Sequence, residues 1–106
     1  LSIPLPSIIS ASPYFQRQTR RTQACQIDLL IHTKNAVYPC EIKFRREVGR
    51  EVVASIQEKV RRLKLPGTLS LRPVLISAGP PQPEVEEEGY FNNIIRPEDL
   101  FRSGDS

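Results

Sequence analysis

"QIDLLIHTKNAVYPCEIKF", residues 26–44, reads as two apolar strands around a short turn. It places Asp28 inside an apolar run and Glu41 and Lys43 near the end of the second strand. The segment is centred between Lys34 and Asn35, and a turn there is plausible because Asn tolerates positive φ. That turn sets Asp28 opposite Glu41 and Gln26 opposite Lys43. Side chains alternate faces with a period of 2, so these four residues are expected on one face.

Opposed side chains of an antiparallel pair have Cβ atoms about 4.5–5.5 Å apart. Two carboxylates at that distance beside Leu29, Leu30 and Ile31 repel strongly. They must share a proton, recruit a cation from a side chain, or hold a metal ion. Two carboxylates with nearby carbonyls and waters suit Mg²⁺. Lys43 would add a positive charge near an attacking water or a phosphate. The competing reading is a structural charge cluster in which Lys43 bridges the two acids.

The same register separates the cysteines. Cys25 pairs with Phe44 and Cys40 with Leu29, about four residues apart at ~3.3 Å per residue, which exceeds disulfide reach. Their spacing is not a zinc pattern and His32 is the only histidine. Both read as small core residues.

Outward from the hairpin, residues 14–22, "YFQRQTRRT", suggest a polar, basic edge strand, preceded by a loop or helical turn over 1–13. Pro39 has no backbone donor, so its strand needs a bulge or an unpaired side there. Residues 48–65 read as a helix, with Val53, Ile56, Val60 and Leu63 on one buried stripe. "PG" at 66–67 stops it. Strands are expected over 71–79 and 90–96, with a polar loop or short acidic turn between them at "PPQPEVEEEG" and a helical turn at 97–101. The order strand, strand, strand, helix, strand, strand predicts an α/β domain: a mixed sheet with a crossover helix packed on it.

The chain has 106 residues, enough for one domain with one modest core. No apolar run approaches ~18 residues, which excludes a spanning helix. No leader pattern is present and the cysteines are few, which points to the cytoplasm. The chain begins at Leu1, as expected of a piece of a longer protein or of a product with a disordered or truncated start. Residues 1–72 carry 13 Lys and Arg against 5 Asp and Glu, whereas residues 73–106 carry 2 against 7. The basic part suits an anionic partner such as nucleic acid, unless these charges are simply a solvated surface. Arg45 and Arg46 follow the motif strand directly. At ~100° per residue, Arg50, Gln57, Arg61 and Lys64 fall on one flank of the helix. Arg45, Arg46, Gln57, Arg61 and Lys64 are candidate nucleic-acid contacts, the basic ones to phosphates, against a solvated face with Glu58–Arg62 pairing.

The pattern "QID…EIK" resembles the core motif of the PD-(D/E)XK nuclease superfamily, with Asp28, Glu41 and Lys43 in the motif positions. Residues 14 to about 79 follow that family's order of strand pair, helix and strand. More narrowly, "SPYFQRQT…CQIDLLIHT…YPCEIKFRREVGREVVASIQEKVRRLKLP" is similar to the C-terminal nuclease-like domain of bacterial and archaeal P-loop ATPases. The resemblance implies a restriction-endonuclease-like fold acting on DNA phosphodiesters. Asp28, Glu41 and the backbone carbonyl of Ile42 would bind Mg²⁺ or Mn²⁺, and Lys43 would act on the water and the phosphate. It also implies a polar role for Gln57 toward the carboxylates, an ATPase region elsewhere in the same protein, and a homodimer where both strands are cut. The alternative is an inactive module of the same fold that binds nucleic acid or regulates an ATPase domain. The sequence departs from the pattern in one place: residues 1–13 contain no Asp or Glu to match the acid many members carry before the first strand.

Overall fold

The computed structural model describes residues 8–44, 47–65 and 67–99. Its elements run β1 (Ile8–Gln16), β2 (Cys25–Thr33), β3 (Ala36–Lys43), α1 (Glu51–Arg62), β4 (Ser70–Leu71), β5 (Val74–Ser77), α2 (Pro83–Glu88) and β6 (Asn93–Ile95), then a 3₁₀ turn at Pro97–Asp99. The sheet has six strands, with β1-β2-β3-β5-β6 in order and β4 beside β3. β1, β2 and β3 form an antiparallel meander. β4, β5 and β6 join in parallel. The chain is therefore mixed α/β, with α1 packed on a mixed sheet.

The hairpin has the expected register: Leu29 pairs with Cys40, Leu30 with Pro39, Ile31 with Tyr38 and His32 with Val37. The turn is closed differently. Among the described residues no non-glycine adopts positive φ, so Asn35 does not supply a left-handed turn. Instead the buried Thr33 hydroxyl accepts from Ala36 N at 3.2 Å and donates to Ala36 O at 3.1 Å. A side chain thus makes the bonds the turn backbone lacks.

Pro39 finds its unpaired side. Asn35 O, Val37 O and Lys43 O accept from Ser70 N, Arg72 N and Ala78 N, so odd residues of β3 turn their backbone toward β4 and β5. Pro39 falls in the same phase, in the gap between the β4 and β5 ladders where neither pairs with β3. The single strand expected over 71–79 is split at the same point by Pro73.

The edge strand begins earlier than its composition suggested. β1 spans Ile8–Gln16, and Arg17 to Ala24 form a loop rather than strand. The acidic loop contains a real helix, α2. It has Pro83 at its first position and ends at Gly89, whose φ of 64° is the left-handed cap that glycine adopts without a Cβ clash. The last strand is shorter than 90–96, and Leu100 and Phe101 of the expected final turn lie outside the described residues.

α1 is held by its apolar stripe, since no side chain caps its start. Val52 and Val53 pack with Leu75 and Val85, and Ile56 packs with Ile27 and Leu63. Lys59, Arg61 and Arg62 in the last turn complement the helix dipole. The helix ends at Arg62 because Leu63 is already extended, short of Pro66, which lies outside the described residues. By alternation, the other sheet face carries Ile31, Tyr38, Cys40, Val74 and Ile76 as a second core layer.

Candidate functional site

The site forms where the β2–β3 ladder stops. Tyr14 pairs with Ile27 while Ser12 pairs with Leu30, so β2 uses three residues where β1 uses two. This is a bulge at Asp28–Leu29, and such bulges re-aim side chains. It changes the expected alternation. Ile27 joins Leu30 in the layer beneath α1, and Gln26 is exposed opposite Phe15. The expected common face of Gln26, Asp28, Glu41 and Lys43 is therefore broken at the bulge. Asp28 does not continue the ladder opposite Glu41. Its Oδ2 accepts the Ile42 N–H at 3.0 Å, replacing the missing strand partner. An ionised acceptor makes this a strong bond.

Glu41 is 1% exposed. It sits on central strand β3 beside Leu75 of β5. Its Oε2 lies 3.2 Å from Lys43 Nζ and its Oε1 lies 3.1 Å from Lys59 Nζ. Burying a carboxylate costs far less when it is paired, and here each oxygen faces an ammonium. The lysines are 30% and 28% exposed, so their stems cross the protein surface while their heads bridge solvent and the buried acid. Asp28, Glu41, Lys43 and Lys59 carry no net charge between them.

Lys59 is the residue the sequence reading missed. On α1 it lies on the opposite flank of the buried stripe from Gln57, at ~100° per residue. Its signal was a lysine three residues after Ile56, bordering the stripe, four residues before Leu63. Gln57 is exposed, and among the described residues it makes no hydrogen bond to Asp28 or Glu41. Arg61 is exposed and engaged, with Nη2 2.5 Å from Glu58 Oε2 and 3.2 Å from Gln23 Oε1. The expected Glu58–Arg62 pair is present at 2.7 Å. Hydrogen bonds from Arg61 and Arg62 pull the Glu58 carboxyl down to about 2. Arg50 precedes the helix and pairs with Glu88 at 3.6 Å. Lys64 is exposed, while its backbone N–H donates to Gln16 Oε1. Arg45 and Arg46 lie outside the described residues.

The donor chemistry at Asp28, Glu41 and the Ile42 carbonyl is hard oxygen, which fits Mg²⁺ or Mn²⁺. Among the described residues no group of three or more His, Cys, Asp or Glu is arranged to hold a metal. A cation here would rest on two carboxylates, backbone and water. It would also have to displace an ammonium from Glu41.

Both cysteines are free. Burial, then the negative charge of Asp28, pushes the Cys40 thiol up to about 12. Burial also raises Cys25, opposed by Arg62 and Lys59. Thiolate is the reactive form, so raising the pKa slows alkylation. Iodoacetamide at pH 8 is expected to leave Cys40 unmodified in the folded domain and to label it only after denaturation, as read by mass spectrometry of the peptides that carry Cys25 and Cys40. Rapid labelling of Cys40 in the native state would show that β3 opens beside Asp28.

No helix among the described residues is long and apolar enough to cross a membrane. Comparison of the chain with models of known protein families, with curated proteins and with solved structures gives no match.

Proposed function

We propose that this chain is a metal-dependent, nuclease-like domain acting on DNA phosphodiesters. In this reading it is the C-terminal module of a longer protein with an ATPase region. The observation that carries the reading is the convergence at Ile42. Asp28, re-aimed by a bulge, binds the Ile42 N–H, and the adjacent Glu41 is bracketed by Lys43 and Lys59. An antiparallel meander followed by a helix and a strand parallel to β3 also supports a restriction-endonuclease-like fold.

In this reading Asp28, Glu41 and the Ile42 carbonyl would hold Mg²⁺ or Mn²⁺. The bound cation supplies Lewis acidity and lowers the pKa of its water. Lys43 and Lys59 place two positive charges at the rim, where a phosphodiester oxygen would gain charge during hydrolysis. Lys43 and Lys59, which pair with Glu41, would be the cations within reach of the phosphate.

The alternative is a module of the same fold that does not cleave, and binds nucleic acid or regulates the ATPase region. The engagement of both Glu41 oxygens by lysine favours it, because the site is charge-balanced without a cation.

Calorimetric titration of Mg²⁺ and Mn²⁺ separates the two. The nuclease reading expects uptake at millimolar or tighter affinity by the parent. It expects none by an Asp28→Ala, Glu41→Ala double variant, with folding of both checked by thermal melting. A folded parent that takes up neither ion sinks the nuclease reading and leaves the non-cleaving module.

A further inference from the structure

The loop between β1 and β2 is exposed from Arg17 to Ala24, apart from partly covered Thr22. Exposed loops are usually loosely held, yet this one is tightly bonded. Thr19 Oγ1 accepts from Arg21 N at 3.1 Å and Thr22 N at 3.0 Å. Thr22 Oγ1 donates to Arg17 O at 2.8 Å, and Thr19 N donates to Thr22 O at 2.9 Å. Gln18 Oε1 accepts from Ala24 N at 3.1 Å.

The loop is also fastened to the end of α1. Gln16 Nε2 donates to Arg62 O at 2.5 Å and to Gln23 O at 2.8 Å, while Gln16 Oε1 accepts from Lys64 N at 2.9 Å. Arg62 Nη1 donates to Ala24 O at 3.0 Å.

This framework holds three arginines that make no ion pair among the described residues. Among the described residues no carboxylate lies within ion-pair distance of Arg17, Arg20 or Arg21, and nearby Glu58 is taken by Arg61 and Arg62. Like charges fixed close together repel. A rigid backbone carrying unpaired guanidinium groups is a preorganised anion contact, since little ordering entropy remains to be lost on binding.

Position narrows the partner. Cys25 begins β2 at this loop and Lys43 ends the antiparallel β3, so loop and carboxylates share one end of the meander. Asp28 is three residues along β2 from Cys25, or ~10 Å. No apolar side chain occupies Arg17 to Gln23 to enter a bilayer, and the nearest large exposed one along the chain, Phe15 at 69%, lies back from the tip. Phe15 is instead suited to stacking on a base beside the arginines.

We propose that Arg17, Arg20 and Arg21 grip the phosphate backbone of a nucleic-acid strand and lead it toward the sheet end that holds Asp28 and Glu41. The direction of travel rests on the nuclease-fold reading, whereas binding by the loop does not.

The test is fluorescence anisotropy with labelled single-stranded and duplex oligonucleotides in EDTA across a salt series. The parent is compared with an Arg17→Gln, Arg20→Gln, Arg21→Gln variant and with a Thr19→Val, Thr22→Val variant. The triple variant should melt like the parent, bind at least ~10-fold more weakly at low salt, and show a log–log salt slope shallower by about 2–3. The threonine variant keeps its arginines, so it should weaken binding several-fold with the slope unchanged. Parent-like affinity and slope in the triple variant overturn the proposal. So does a parent that binds neither oligonucleotide, or one that binds phosphatidylserine–phosphatidylcholine vesicles instead. Metal uptake reports separately on the carboxylates, so either reading can fail while the other stands.

Discussion

Replacing Lys59 with Met should destabilise the domain by about 3 kcal/mol, and adding Glu41→Gln should restore most of that loss. Glu41 is 1% exposed and its Oε1 faces Lys59 at 3.1 Å. Met keeps the length of the stem and removes the ammonium. A buried carboxylate then depends on Lys43 alone, whose Nζ faces the other oxygen. An uncompensated buried charge is among the few single-residue changes with so large an effect. Gln at position 41 removes the charge and leaves Lys43, already 30% exposed, free to turn to solvent. The measurement is a double-mutant cycle by urea denaturation at neutral pH. A Lys59→Met cost under about 0.5 kcal/mol, typical of an exposed pair, would show that Glu41 does not need the helix.

Ile56→Ala should cost about 3–4 kcal/mol, from lost burial and the cavity left behind. Ile56 is fully buried between Ile27 and Leu63, where α1 meets the bulged strand. Stabilities of 5–15 kcal/mol are ordinary for a domain, so this is a large share. Because Ile56 lies three residues before Lys59, the cavity should also loosen the helix turn that delivers Lys59 to Glu41. The exposed neighbour Gln57→Ala on the same helix is the control, expected within about 0.5 kcal/mol of the parent. Equal costs at 56 and 57 would mean that α1 is not seated on the sheet as described.

Parts of this were legible in the chain itself. Period 2 in "QIDLLIH" and "AVYPCEIK" and the 3.6-residue stripe of Val53, Ile56, Val60 and Leu63 are local patterns. Local patterns survive into the fold when burial enforces them. They yielded the hairpin register, the crossover helix and the mixed sheet. The edge strand was misplaced because "YFQRQTRRT" has strand-like composition at one end only, and β1 takes "IISASPYFQ" through pairing with β2.

What the sequence determined by itself was that an acid at 28 and an acid–lysine pair at 41 and 43 would meet at one end of a hairpin. Tertiary structure decided how they meet. The bulge arises from a mismatch between β1 and β2 that neither strand shows alone, and it turns Asp28 onto the Ile42 N–H. The second cation comes from Lys59, 18 residues beyond Glu41. Such a contact carries no periodic signature. It exists because packing Ile56 against Ile27 fixes the helix's rotation and height over the sheet, and a buried carboxylate takes the nearest ammonium that this placement offers.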